Sequence, residues 1–306
     1  MKYSYTREKF RVFTQTGFFL LFLLAPILDI FRLDLTRGHF IIFGYPWTLG
    51  LEAFQQGQGT ALMAASTLLL HVFLPIMGTL AIVITIIWKY GRVYCGWFCP
   101  HFSVVEMINQ LMYKFLYRVT LWEKPSQEVK GLVPWLIVIF VAVSMAFVWS
   151  FSLLSYLLPP KELVYGLLNF ELGSGSTRFL IAGTLVLTID FIFARHLFCR
   201  FGCAIGLAQS VVWMGNKKAM VVSFEKKRAE QCRSCDNECD FSCPMRLFTR
   251  GIKRAKFTCT QCGQCLSACD RVQLKNNYSE RVIHWVSGED AKQVDNNAIV
   301  RKQDEG

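Results

Sequence analysis

Cys259-Thr-Gln-Cys262-Gly-Gln-Cys265-Leu-Ser-Ala-Cys269 has the spacing C-x2-C-x2-C-x3-C, and the reading of the whole chain starts from it. A second run precedes it: Cys232-Arg-Ser-Cys235-Asp-Asn-Glu-Cys239-Asp-Phe-Ser-Cys243-Pro244, or C-x2-C-x3-C-x3-C-P. Together the two runs carry eight of the chain's 12 cysteines. Such runs in tandem hold two [4Fe–4S] clusters, with three thiolates of a run aimed at one cubane and the fourth crossing to the other. Cluster one is therefore expected on Cys232, Cys235, Cys239 and Cys269. Cluster two is expected on Cys259, Cys262, Cys265 and Cys243. Structural zinc is the competing reading, but zinc sites usually set their C-x2-C pairs about a dozen or more residues apart. Asp270 stands where a proline often follows the fourth cysteine, so a carboxylate is expected beside cluster one, lowering its potential.

The remaining chain is apolar. Of 306 residues 53% are hydrophobic, and mean hydropathy is +0.33. The apolar residues fall in four long runs, 13–30, 67–88, 132–158 and 179–198, each long enough to cross a bilayer. The basic residues before, between and after these runs number 4, 2, 6, 2 and 19, the last count including Arg195 near the end of the fourth run. That alternation predicts two short outer loops, with both termini and the cysteine-rich module in the cytoplasm. A reducing compartment disfavours disulfides there. The net charge of +11 is met by anionic lipid and the positive-inside rule, so no nucleic-acid partner is implied. The first apolar run lacks a convincing small-residue cleavage site, so a cleaved signal peptide is not expected.

The expected fold is a membrane all-α protein: a four-helix transmembrane bundle of two repeated hairpins with a cytoplasmic two-[4Fe–4S] ferredoxin-like module. Domain boundaries are placed at 1–215 for the spans, 216–286 for the module and 287–306 for a disordered polar tail. Lys253, Arg254 and Lys256 are expected to form a basic face that steers an acidic electron donor.

The four other cysteines lie in an internal repeat. The second run leads into Gly91-Arg-Val-Tyr-Cys95-Gly-Trp-Phe-Cys99-Pro100, and the fourth into Arg195-His-Leu-Phe-Cys199-Arg-Phe-Gly-Cys203-Ala204. Each holds C-x3-C, offset by 104 residues. Two halves related by an axis along the membrane normal bring the pairs towards each other. If the segments are helical, each pair shares one helix face. Three readings stand. Cys95, Cys99, Cys199 and Cys203 bind a soft metal such as Cu(I), which thiolates select. They are redox-active dithiols whose pKa is depressed by Arg92, Arg195 and Arg200. Or they are buried cysteines packed as small apolar residues. His101 and His196 are weaker candidates for a further ligand or proton relay.

Four spans, two C-x3-C motifs and a tandem cluster module resemble the membrane polyferredoxins of the CcoG/RdxA/FixG type, and more distantly the NapH/NosR type. His39-Phe-Ile-Ile-Phe-Gly44, Pro160-Lys-Glu-Leu163 and Ala268-Cys269-Asp270 resemble the CcoG side more closely. This resemblance implies an oxidoreductase of the bacterial inner membrane that passes electrons from an unidentified cytoplasmic donor to the Cys95/Cys99/Cys199/Cys203 site. There Cu(II) is reduced to Cu(I) for cbb3-type cytochrome oxidase assembly, with oxidase assembly factors or a copper transporter as partners. The NapH/NosR branch implies instead a quinol-oxidising conduit to a respiratory reductase, with quinone as an added cofactor. A redox sensor is the third possibility.

Overall fold

The computed structural model describes residues 2–49, 60–118, 120–122, 124, 126–129, 131–232, 235–278 and 281–294. Helix α1 (Lys2–Leu24) leads into a three-stranded antiparallel sheet, β1 (Phe31–Asp34), β2 (His39–Ile42) and β3 (Tyr45–Trp47). Helix α2 (Ala61–Tyr90) follows, then the short α3 (Val93–Trp97) and α4 (Pro100–Leu116). Next come α5 (Val133–Ser155), α6 (Pro160–Leu168), α7 (Ser174–Ala194) and α8 (Ala204–Gly215). The cysteine-rich part contributes β4 (Val221–Phe224), α9 (Glu238–Phe241), α10 (Gln264–Lys275) and β5 (Ile283–Val286), the two strands pairing antiparallel.

Among the described residues three helices, α2, α5 and α7, are long and apolar enough to cross a membrane. None of the apolar window of α2 is buried in protein, as a lipid-facing helix requires. Thr60 caps α2 by accepting from the Met63 N–H. A π turn at Leu69–Phe73 absorbs Pro75, which has no N–H to give to the carbonyl of His71. The first expected span differs. Its helix begins at Lys2 within the basic lead-in and stops at Leu24, so only the second half of α1 is apolar. The loop expected between the first two spans contains the three-stranded sheet. Its 34–38 turn forms because the buried Asp34 carboxylate accepts from the Thr36 N–H, the Thr36 hydroxyl and the Arg37 N–H.

The chain divides into two compact units. One takes Phe18–Ala81 and Ser103–Arg195. Its core is made by α4, α5 and α7. Ile108, Met112 and Leu116, spaced by four along α4, bury against Val138, Ala142 and Ala146 of α5 and Phe191 of α7. Small residues at four-residue steps on α5, ending at Ser150, let α7 approach closely; a Cβ on Gly183 would stand 2.9 Å from Ser150 Oγ. The other unit takes Met1–Gly17, Ile82–Phe102 and His196–Gly306. The domain boundary expected at 215 falls inside it, and it contains all 12 cysteines. Within the expected disordered tail, 289–294 form a helical turn. Ala291 is buried there against Trp213, Ala219 and Val221, and Lys218 pairs with Glu289. Residues 295–306 lie outside the described residues.

Gly183→Val is expected to overpack the α5–α7 contact and cost about 1–3 kcal/mol. Thermal unfolding in detergent checks this; Gly175→Ala, with open space at its Cβ, is expected not to lower the transition.

Candidate functional site

The structure brings the cysteines of the two runs into two groups of four. Cys232 is close enough to Cys269 and Cys235, and Cys239 to Cys235, for their charges to interact. Cys239, Cys269 and Cys232 share an apolar cluster with Val222, Leu266, Val282 and Ile283, and Cys265 of the second group lies in it too. The second group, Cys243, Cys259, Cys262 and Cys265, lines one cavity together with Met245, Leu247 and Lys256. Gly263 opens α10 between two of these cysteines at φ +75°, and a Cβ there would strike the Trp285 ring at 2.9 Å.

Burial dominates the chemistry of these thiols. It pushes Cys239 and Cys259 up to about 11 and Cys243 up to about 12, and Cys265 well above its ordinary value. Neighbouring thiols add to the rise, while Lys256 and Arg92 oppose it at Cys259. Thiols this apolar ionise only if a bound cation compensates them, so iron and thiolate stabilise each other. The four cysteines around the apolar cavity of the second group are a donor set that fits a [4Fe–4S] cubane.

Charges close to the two groups differ from those expected. Lys253 and Lys256 are buried and do not present a docking face. Lys253 Nζ donates to the carbonyls of Trp213 and Asn216 and sits over the Trp213 ring. Lys256 Nζ donates to the Val222 carbonyl at 2.6 Å. Asp270 is no free negative charge beside the first group, because Arg7 and Arg281 each pair with it at 3.0 Å. Asp240, next to Cys239, accepts from Thr249 and pairs with Arg250.

The two C-x3-C motifs also converge. Cys95, Cys99 and Cys203 are near enough to influence one another's ionisation, and Cys199 shares an apolar cluster with Cys99, Cys243 and Cys259. Neither pair lies on a single helix face. Cys95 ends up in α3 and Cys99 at the start of α4, and Cys199 in the π turn Phe198–Gly202 with Cys203 beyond it. Cys203 caps α8 by accepting from the Gly206 N–H, and Cys99 accepts from the Phe102 and His101 N–H groups in α4. The break before each pair is a left-handed residue at the 104-residue offset, Gly91 at φ 74° and Arg195 at φ 50°. His101 Nδ1 is 3.5 Å from Cys199 Sγ, whereas His196 packs on the Phe102 ring.

At Cys95 and Cys99 burial outweighs any activation by arginine. Burial raises Cys95 despite the opposing charge of Arg92, and raises Cys99 to about 11. Arg195 falls in the other compact unit, where it donates to Asn109 Oδ1 and the Ile192 carbonyl and contacts Met112. Arg200 lies over the Phe201 ring.

Two residues not singled out in the sequence pack around the first C-x3-C turn. Gly96 packs so closely on the second ferredoxin run that a Cβ would stand 2.4 Å from the Thr260 carbonyl oxygen and 3.1 Å from Cys262. Gln209 Oε1 accepts from the Cys95 thiol at 3.6 Å. Arg11 and Gln15 of α1 donate to the Gly96 carbonyl, and Trp97 Nε1 donates to that of Gln261.

Comparison with known proteins agrees with this geometry. A family described as a 4Fe–4S binding domain matches residues 70–118. NapH of Haemophilus influenzae, a ferredoxin-type protein, is 27% identical over 222 residues, 71% of each chain. YccM of Escherichia coli K12, named for electron transport, is 29% identical over 221 residues, 70% of this chain and 56% of YccM. The regulatory protein NosR of Pseudomonas aeruginosa is 27% identical over 168 residues, 54% of this chain and 22% of NosR. The relatives therefore include a ferredoxin-type protein and a protein named for electron transport, and the matched domain is a 4Fe–4S binding one. The chain thus spans little more than half of YccM and about a fifth of NosR. No solved structure matches it. The CcoG/RdxA/FixG assignment rests on the motif resemblance alone.

Gly96→Ala is expected to force the C-x3-C loop away from the Thr260–Cys262 turn, at a cost of about 1–3 kcal/mol. Lowered iron per chain after anaerobic purification checks this; Gly175→Ala, at an open position, is expected to retain the wild-type content.

Proposed function

We propose that this chain is a membrane-bound oxidoreductase component of the NapH/NosR kind, conducting electrons between a membrane quinol and a redox partner protein. The observation that carries the reading is the contact of Gly96 with Thr260 and Cys262, which sets the C-x3-C site directly against the second ferredoxin run. Bound at the two ferredoxin groups, [4Fe–4S] clusters supply one-electron transfer without proton uptake. Cys232, Cys235, Cys239 and Cys269 hold one, and Cys243, Cys259, Cys262 and Cys265 the other. The buried Lys256 and Arg92 favour the added electron at the second group by opposing its negative charge. Each quinol oxidised to quinone releases two electrons, passed on singly, and two protons, which go to solvent.

The apolar second half of α1, with the turn that follows it, serves as a fourth span in this reading. The alternating basic counts put both termini and the ferredoxin module on the cytoplasmic side of the inner membrane. The cupric-reductase reading keeps the same wire and ends it on one Cu(II) ion at Cys95, Cys99, Cys199 and Cys203. We prefer the conduit because the relatives matched include a ferredoxin-type protein and a protein named for electron transport.

A reduced quinol analogue added anaerobically is expected to bleach the visible iron–sulfur absorbance of the wild-type chain. Cys262→Ser is expected to retain membrane insertion, lose iron and bleach to a smaller extent. Clusters that respond to dithionite and stay oxidised under quinol would overturn quinol as the donor.

A further inference from the structure

We infer that Cys95, Cys99, Cys199 and Cys203 bind a third [4Fe–4S] cluster, the redox group at the membrane end of the chain. The inference deepens the conduit reading and rests on it.

Four observations converge on this site. The family described as a 4Fe–4S binding domain matches residues 70–118, and the cysteines in that stretch are Cys95 and Cys99 alone. Both ferredoxin runs lie outside it. A cubane needs four thiolates, and one C-x3-C motif supplies two. The repeat supplies the other two, and the fold gathers all four in one unit.

Each thiolate of a cubane binds a different iron, so the four need not converge on one point. Among the described residues none of the three cysteine sets does so.

The surroundings ask for an anion. Arg92 is fully buried, and among the described residues no carboxylate lies within ion-pair distance of it. Its Nη2 donates to the Cys199 carbonyl at 2.9 Å, and its Nε has no hydrogen-bond partner. A buried guanidinium in this state is costly unless negative charge lies close by. A cubane with four thiolates is negative in both oxidation states, and Cys95 faces Arg92. In addition, Cys99 and Cys203 each stand at the N-terminus of a helix, α4 and α8, where the free N–H groups and dipole favour negative charge.

The site also has a neighbour to exchange electrons with. Cys99 and Cys199 share an apolar cluster with Cys243 and Cys259 of the second ferredoxin group. Binding forms four iron–thiolate bonds and releases four thiol protons, with no change of oxidation state. One electron then passes between the two neighbouring sites, one being oxidised as the other is reduced.

The test is iron and acid-labile sulfide per chain, with metals and the EPR spectrum of the reduced protein, all after anaerobic purification in detergent. Wild type is expected to hold about twelve iron and twelve sulfide, and Cys95→Ser about eight of each with one EPR component missing. If Cys95→Ser fails to reach the membrane, Cys203→Ser, altered at a half-buried thiol, gives the same readout. About eight iron in wild type and in both variants overturns the third cluster and leaves the two-cluster conduit standing. One copper held by the wild type and lost in the variants, without the extra iron, also overturns it. Fewer than about eight iron in wild type contradicts the conduit reading itself.

Discussion

Arg92 is the interaction on which the site depends. Its guanidinium, closed off from solvent, donates to the Cys199 carbonyl, the Thr258 carbonyl and the Ser210 hydroxyl. These partners come from the second C-x3-C turn, the second ferredoxin run and helix α8. One side chain from the first C-x3-C turn thereby ties three distant segments together. Space for it exists because position 206 is glycine; a Cβ there would lie 2.3 Å from Nη2. Removing one partner from a buried, hydrogen-bonded charge typically costs roughly 3–5 kcal/mol. The same charge serves function, since it lowers the cost of ionising both Cys95 and Cys259.

Around this centre the N-terminal helix acts as a strap. Arg7 reaches Ser267 and Asp270 on α10, and Arg11 and Gln15 reach the Gly96 carbonyl. Residues that the positive-inside rule assigns to the membrane surface therefore have a second use. They neutralise the carboxylate beside the first cysteine group and hold the C-x3-C loop against the second. Electrostatics that look like topology signals in sequence are packing contacts in the fold.

Much of the site was legible because cluster chemistry fixes local spacing. The two runs alone lead one to expect Cys243 beside Cys259, Cys262 and Cys265 and Cys269 beside Cys232, and the repeat alone leads one to expect the two C-x3-C pairs to approach. The structure adds that the repeat extends to the backbone, with left-handed residues at Gly91 and Arg195 breaking the helices at equivalent points. What sequence could not show is long-range. The partners of Arg92 lie 107, 118 and 166 residues away, and no local pattern marks them. Lys253 and Lys256 read as surface charge because lysine usually is; here backbone carbonyls of Trp213, Asn216 and Val222 satisfy them inside. The strands of 31–47 were missed because each is only three or four residues long and their pairing depends on the Asp34 turn. The 289–294 turn was missed because one buried alanine, Ala291, anchors a polar segment.

The central claim is that the cysteine groups form one continuous electron path through the Gly96 contact. The most direct measurement is the power saturation and line shape of the EPR spectrum of the fully reduced protein. Clusters held side by side interact magnetically, so the account predicts broadened, fast-relaxing signals that sharpen when one neighbour stays oxidised. A spectrum equal to the sum of isolated, slowly relaxing signals at every stage of reduction would contradict it.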